Sequence, residues 1–427
     1  MIWNLIVWSG LIGILRGWGT EPPPVTPVQE LAWEELALFS LPHDPEPRID
    51  KTIGNYLQNL SQLRVATNSQ GIWLASDWWT FADHRGTIPQ SAASLTKIAT
   101  SLAALETYGS NYQFETRVKH TGVMQAGVLQ GNLIIEGGGD PFFVWEEAIA
   151  LGNRLNELGI QSVTGDLIIT GDFFMNYQAS PQRSAQLLAQ GLDFQRWSKA
   201  AQQQYQTLSS QTPRPQVEIA GTVIVEKTAD FPNTTPLIRH QSLPLKQILQ
   251  QMNVYSNNQL AELIARSVGG VEQVEAIVTK ATGVSSPEVQ LSNGSGLGVD
   301  NRLSPRAVAK MLQVMQQQLA AQGSHLGEIL PVAGIQTGTV RDRAIPPGIP
   351  VKTGSLWNVS ALAGIMNTER HGRVYFAIIN QNGNLDTFRR QQDQLLQNLQ
   401  DYWQLIPFDQ NVAVQLGDPN RQKLISH

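Results

Sequence analysis

Ser94-Leu95-Thr96-Lys97 sets a hydroxyl and an amine three positions apart at the start of an amphipathic run, so on a helix both side chains lie on one face and can meet. A serine hydroxyl is inert at its ordinary pKa and needs a base beside it. A lysine stripped of its proton by burial or by a neighbouring cation can be that base without any histidine. The chemistry such a pair supports is attack on a carbonyl carbon. Alone the pair says little, since a chain of 427 residues shows about one or two Ser-x-x-Lys matches by chance. Two later segments add to it. Ser256-Asn257-Asn258 lies inside a helical region, and Lys352-Thr353-Gly354-Ser355 lies on an apolar strand, IPVKTGSL, where glycine admits the close approach of a ligand backbone. His120-Thr121-Gly122 and Gln336-Thr337-Gly338 imitate the last segment, and Tyr255-Ser256-Asn257 offers a shifted register of the second. His120 precedes the second motif, and neither imitation sits on an apolar strand followed by a terminal strand pair.

Those side chains need a frame. Gly71 to Phe81 reads as a strand, and after the turn HRGTIPQ a helix begins near Ser94, with Leu95, Ile98, Leu102 and Leu105 on one stripe and Gly109 at its end. VLQGNLIIEGGGDPFF and TGDLIITGDFF then form two similar strand segments separated by a helical run, VWEEAIALGNRLNELG. Asn176 to Gln216 is polar and Gln-rich, and is expected as loops or solvated helix faces. A helical region follows through LPLKQILQQMNVYSNNQLAELIARSVGG, then a helix over Pro305 to Gln322, then the strands IPVKTGSL, SALAGIMN and RVYFAIIN before a closing helix. Two other clusters receive plain readings. Glu136-Gly137-Gly138-Gly139-Asp140 lacks the Gly-Lys-Ser/Thr ending of a phosphate loop and is expected to be a turn, and Trp73, Trp78, Trp79 and Phe81 are expected in the core.

Composition narrows the partners. Thirty Lys and Arg against 35 Asp and Glu give a net charge of −5, so nothing drives binding to a phosphate backbone and no nucleic acid is expected. There is no cysteine, and the seven histidines are scattered without a His-Glu-x-x-His pair, so neither a thiol nucleophile nor a metal site is expected. No cofactor is called for. The apolar stretch Ile2 to Leu15 is interrupted by Asn4 and Ser9 and falls short of the about 20 residues a membrane span needs, so no stable transmembrane span is expected. Its length suits a signal segment, although it lacks a basic leader and a clear cleavage site.

The ordered set Ser-x-x-Lys, Ser-x-Asn and Lys-Thr-Gly is that of penicillin-recognising serine enzymes. From about Gly71 to Trp403 the chain resembles the D-alanyl-D-alanine carboxypeptidases/endopeptidases known as low-molecular-mass class C penicillin-binding proteins. The likeness also rests on AASLTKIATSLAALETYGSNYQFETRV, NLIIEGGGDPFF, GDLIITGDFF, HQSLPLKQILQQMNVYSNNQLAELIAR, LSNGSGLGVDNRLSP and LPVAGIQTGTVRDR, in family order. The Ala-Glu pair after Asn258 favours the Ser256 register over the Tyr255 one. Asn293 stands where the family usually has Asp, and Asn176 to Gln216 matches no family block.

The resemblance implies an α/β (α+β) fold: a transpeptidase/β-lactamase-like domain with an antiparallel sheet flanked by helices, interrupted by an inserted smaller α+β lobe. The expected organisation is an apolar segment and linker over 1–47, the penicillin-binding domain over 48–118 and 236–410, the insertion over 119–235 and a tail over 411–427. It implies a serine D,D-peptidase acting on peptidoglycan peptides, with β-lactams as covalent inhibitors and a periplasmic or otherwise exported location. Ser94 would be the nucleophile, Lys97 its base, Ser256 the relay to the leaving amine and Asn258 a holder of Lys97 and substrate. Lys352 would keep Lys97 neutral and attract the substrate carboxylate. Thr353, Gly354 and Ser355 would bind substrate, and the backbone N–H groups of Ser94 and Ser355 would form the oxyanion hole. Two alternatives stay open: a β-lactamase on the same scaffold, and a non-catalytic peptidoglycan-binding protein.

Overall fold

The computed structural model describes residues 46–226, 231, 233–335, 338–408 and 414–425. The apolar stretch Ile2–Leu15 and the helical patch LAWEELALFSL lie outside them. Among the described residues no helix is long and apolar enough to cross a membrane.

A five-stranded antiparallel sheet carries the strands Val351–Leu356, Val359–Thr368, Gly372–Gln381, Gln70–Ser76 and Thr80–His84, in that spatial order. Its central pair is in unbroken register from Val359 opposite Gln381 to Thr368 opposite Gly372. Both strands are nearly continuous runs of buried apolar residues because both faces of the sheet are covered. Alternate side chains serve different cores. Ala361, Ala363 and Ile365 pack with Leu102 of helix Thr96–Tyr108 and Met311 of helix Pro305–Ala320, while Leu362 and Met366 pack with Leu60 of helix Pro47–Gln62 and Leu396 of helix Leu385–Trp403. This is the mixed architecture the resemblance implied.

Residues 115–241 build a second pair of sheets around a separate core that includes Leu133, Ile149, Leu167 and Ile238. Leu133–Gly138, Leu167–Asp172 and Val223–Val225 run parallel and in register, so that Ile134, Ile168 and Ile224 stand in one row. The expected tail contributes strand Gln422–Leu424, which pairs with Thr235–Gln241 at the edge of this sheet.

Two plain expectations change, and the Gln-rich stretch takes the helical one of its two expected forms. Trp73 and Phe81 are in the core, but Trp78 is 92% exposed, since it falls in the hairpin turn between Ser76 and Thr80. Gly137 and Gly138 belong to a strand instead of a turn; a Cβ on Gly138 would lie 2.1 Å from Glu115 O. The Gln-rich stretch forms helices Pro181–Gly191 and Lys199–Tyr205, capped by Ser180 and Ser198, and buries Leu187, Leu188 and Ala201.

Candidate active site

Ser94 stands in a 3-10 turn, Ala93–Leu95, and helix Thr96–Tyr108 starts behind it. Ala93 holds φ 48°, a left-handed conformation rare for a residue with a Cβ. Two neighbours clamp this turn. The Ala92 N–H donates to Asn301 O at 2.9 Å, and Gly354 packs so closely that a Cβ there would meet Ala92 O at 2.9 Å and Ser94 N at 3.1 Å. Gly354 therefore admits the nucleophile's own turn, where the sequence suggested room for a ligand.

Lys97 follows one turn later and is fully buried. Its Nζ donates to Ser94 Oγ at 3.2 Å, to Asn258 Oδ1 at 2.7 Å and to Ser295 O at 2.7 Å. Burial lowers its pKa to about 8, while the Glu262 carboxylate pulls the other way. Both Glu262 oxygens are engaged: Oε2 accepts from the Gly294 N–H at 3.0 Å and Oε1 from the Ser295 N–H at 2.9 Å. Glu262 thus fixes the loop that turns Ser295 O towards Lys97. Asn293 braces the same loop, accepting from Ser295 Oγ and from the Gly296 N–H and donating to Leu297 O at 2.8 Å.

Ser256 is not inside a helix. Helix Leu245–Tyr255 ends at it, with Ser256 left-handed at φ 52° and ψ 41°, and helix Asn258–Ser267 begins after Asn257, whose side chain accepts from the Leu260 N–H. The break turns Ser256 and Asn258 towards the two lysines. Lys352 Nζ donates to Ser256 Oγ at 3.1 Å and to Thr353 O at 2.8 Å. Burial, and next the charge of Lys97, hold the Lys352 pKa well below the ordinary lysine value. From the sequence, Lys352 is expected to help keep Lys97 neutral; burial is what lowers Lys97, and burial also comes first at Lys352.

Ser94, Ser256, Thr339, Thr353, Ser355 and Arg389 share a cleft of about 630 Å³. Thr353 Oγ1 donates to Thr339 Oγ1 at 2.8 Å. A second hollow of about 660 Å³ lies among Ala150, Arg154, Leu208 and Leu416, away from every motif residue. Among the described residues no group of His, Asp or Glu side chains is arranged to hold a metal. Glu262, Thr339 and Arg389 escaped the sequence reading as functional candidates. The Ala-Glu pair pointed at Glu262, and Thr339 adjoins the imitation motif; Arg389 has no local signal.

A profile of the D-Ala-D-Ala carboxypeptidase 3 (S13) family matches residues 51–190 and 184–401. The chain belongs to that family. D-alanyl-D-alanine carboxypeptidase DacB of Haemophilus influenzae is 24% identical over 392 residues, covering 69% of this chain and 81% of that one. Carboxypeptidase DacB of Mycolicibacterium smegmatis is 35% identical over 167 residues, covering 35% of this chain and 36% of its own. Among solved structures, a predatory peptidoglycan endopeptidase of Bdellovibrio bacteriovorus matches with a TM-score of 0.72 at 20% identity, covering 84% of this chain and all of that one. Penicillin-binding protein 4 of Haemophilus influenzae matches with a TM-score of 0.59 at 22% identity, over 81% of this chain and 98% of its own. These likenesses establish the S13 fold for the whole region that carries the motifs.

Proposed function

We propose that this serine D,D-peptidase removes the terminal D-Ala from peptidoglycan peptides, or cleaves their D,D cross-links, through an acyl-enzyme on Ser94. The observation that carries the proposal is the contact of Lys97 Nζ with Ser94 Oγ at 3.2 Å, in a site dry enough to lower the lysine pKa to about 8. The neutral fraction of Lys97 accepts the hydroxyl proton as Ser94 Oγ bonds to the carbonyl carbon. The carbonyl electron pair moves onto oxygen, which the N–H groups of Ser94 and Ser355 receive. On collapse the C–N bond breaks, and the proton passes through Ser256 to the leaving amine. Lys352 supports this step from 3.1 Å, and Asn258 keeps Lys97 in place. Water then cleaves the ester.

The strand Val351–Leu356 lies at the edge of the five-stranded sheet, so a substrate backbone can pair along it as an added strand. The chemistry belongs to the segments on either side of the inserted lobe, expected over 119–235, whose sheets take in residues 115–241. Peptidoglycan lies outside the cytoplasm, so the chain acts after export. A penicillin G-acylated form of the Bdellovibrio bacteriovorus endopeptidase, with a TM-score of 0.69 at 22% identity, supports the same reading.

The test is labelling with a fluorescent penicillin followed by mass mapping. The label is expected on Ser94 and absent from folded Ser94→Ala; a label on another serine, or one undiminished in the mutant, overturns the assignment. A penicilloyl adduct that is lost within seconds would instead favour the β-lactamase alternative. Fractionation of the native host checks export, and recovery only from the cytosol with an intact amino terminus contradicts it.

A further inference from the structure

A substrate ending in a free carboxylate brings a negative charge into the cleft, and the three motifs leave it without a cationic partner. Lys352, expected to attract it, is fully buried, and its Nζ is directed to Ser256 Oγ and Thr353 O. Arg343 also lines the cleft, but Asp393 neutralises it: Nη2 and Nε donate to Asp393 Oδ1 at 2.7 and 2.9 Å. Arg390 is exposed at the rim. Arg389 differs from all three. It comes from helix Leu385–Trp403, is partly buried, and reaches the edge strand, where Nη2 donates to Ser355 Oγ at 3.1 Å. Its acidic partner is solvated: Nη1 pairs with Asp386 Oδ1 at 3.5 Å, and the Asp386 side chain is 72% exposed. Such a pair is worth little in water and yields to a better carboxylate.

Alternation along the strand puts Thr353 and Ser355 on one face. The guanidinium at Ser355 therefore lines the same cleft as the Thr353 and Thr339 hydroxyls, two strand positions away from Thr353, and those hydroxyls are hydrogen-bonded to each other at 2.8 Å. Two hydroxyls and a planar cation with five N–H donors make a carboxylate receptor one residue beyond the carbonyl that Ser94 attacks. We infer that Arg389 is the specificity-determining residue for the free carboxylate of the leaving amino acid, which it binds together with Thr353 and Thr339. This rests on the serine peptidase reading above.

The experiment compares kcat/KM for an acyl-D-Ala-D-Ala peptide and for its C-terminal carboxamide, in the native protein, Arg389→Ala and Arg389→Lys. Arg389→Ala is expected to lower kcat/KM for the free acid by roughly ten- to a hundredfold, mainly through KM, and to leave the amide within about twofold. Arg389→Lys should recover part of the preference for the acid. Equal losses on both substrates would assign Arg389 a role in holding Ser355 alone and overturn the inference, as would an unchanged acid-to-amide ratio. If Arg389→Ala does not fold, Arg389→Gln is read by the same ratio. Penicillin labelling of the native protein keeps the two ideas apart. Labelled Ser94 with an unchanged ratio removes only the role of Arg389, whereas no labelling removes the peptidase reading itself.

Discussion

The segments around Ser94 and the sheets of residues 115–241 meet different demands on the backbone. Around the nucleophile the chain is forced: Ala93 and Ser256 are both left-handed without being glycine, at a cost on the order of 1–2 kcal/mol each. In the second region the chain repeats itself. The Gly165 N–H donates to Gly131 O at 3.0 Å and the Gly221 N–H to Gly165 O at 3.1 Å. Beside them Asn132 Oδ1 accepts from the Asp166 N–H, and Asp166 Oδ1 from the Thr222 N–H, both at 2.8 Å. One region sets local preference aside to aim side chains; the other repeats one turn from strand to strand, and its own left-handed residues, Ala126, Asn176, Tyr177 and Asn233, lie in its loops. Only the first region aims reacting side chains, while the second repeats a scaffold, so mutations in the two should separate rate from stability.

The largest expected effect beyond loss of Ser94 is at Lys97. Lys97→Arg keeps the charge but cannot lose it, so acylation by penicillin should slow by at least about a hundredfold, measured by stopped-flow. In the native protein the same base sets the pH profile. With a pKa of about 8, the neutral fraction grows tenfold per pH unit below that value, so acylation rises with pH and levels off above about 8. The stability sign is consistent. The folded Lys97 releases its proton near 8 and the unfolded chain only near the ordinary lysine value of 10.5, so this site makes the fold more stable as pH climbs between them.

Gly354→Ala comes next. The added methyl must push away Ala92 O or Ser94 N, which opens the strand from the nucleophile's turn. A misplacement of about 1 Å can cost on the order of a hundredfold in rate, so acylation is expected to fall by about ten- to a hundredfold with little loss of melting temperature. Unchanged acylation would show that the turn tolerates a Cβ there.

What the sequence disclosed follows the same divide. The strands Val359–Thr368 and Gly372–Gln381 were legible because long apolar runs leave no other state, and Pro305 begins a helix with Ser304 as its cap, a signal written in adjacent residues. The sequence places Ser256 in the right helical region, but the break there is not legible because the apolar spacing of LKQILQQMNVY continues through NQLAELIARS. Only the capping side chain of Asn257 marks the break. The roles of Glu262, Thr339 and Arg389 depend on contacts with residues 14 to 34 positions away, which no local pattern records.

Gly165→Ala tests the scaffold. A Cβ there would lie 2.2 Å from Asn132 Oδ1 and 2.6 Å from Gly131 O, so the rows of the parallel sheet must part. Overpacking of this kind costs about 1–3 kcal/mol, read as a melting temperature lowered by several degrees, while Ser94 acylation at 25 °C stays within about twofold. A large loss of acylation in a folded variant would join the two regions functionally and break the comparison.

The smallest expected effect is at Asn293, where the resemblance to the family would have Asp. Asn293→Asp keeps the oxygen that accepts from Ser295 Oγ and the Gly296 N–H, so the loop keeps its form. The amide donor to Leu297 O is lost, but Asn301 Nδ2 still donates to that carbonyl at 3.2 Å. The remaining change is one negative charge behind the loop whose Ser295 O holds Lys97 at 2.7 Å. A nearby anion favours the charged lysine, as Glu262 already does, and the base is then harder to free. Lys97 is fully buried, so this attraction exceeds its bulk-water value, on the order of 1 kcal/mol or a factor of roughly five. Acylation at pH 7 should therefore fall by about fivefold, with the midpoint of the pH profile about half a unit to one unit higher and the plateau above it unchanged. A lowered plateau with the midpoint in place would instead mean that Asn293 acts through the shape of the loop.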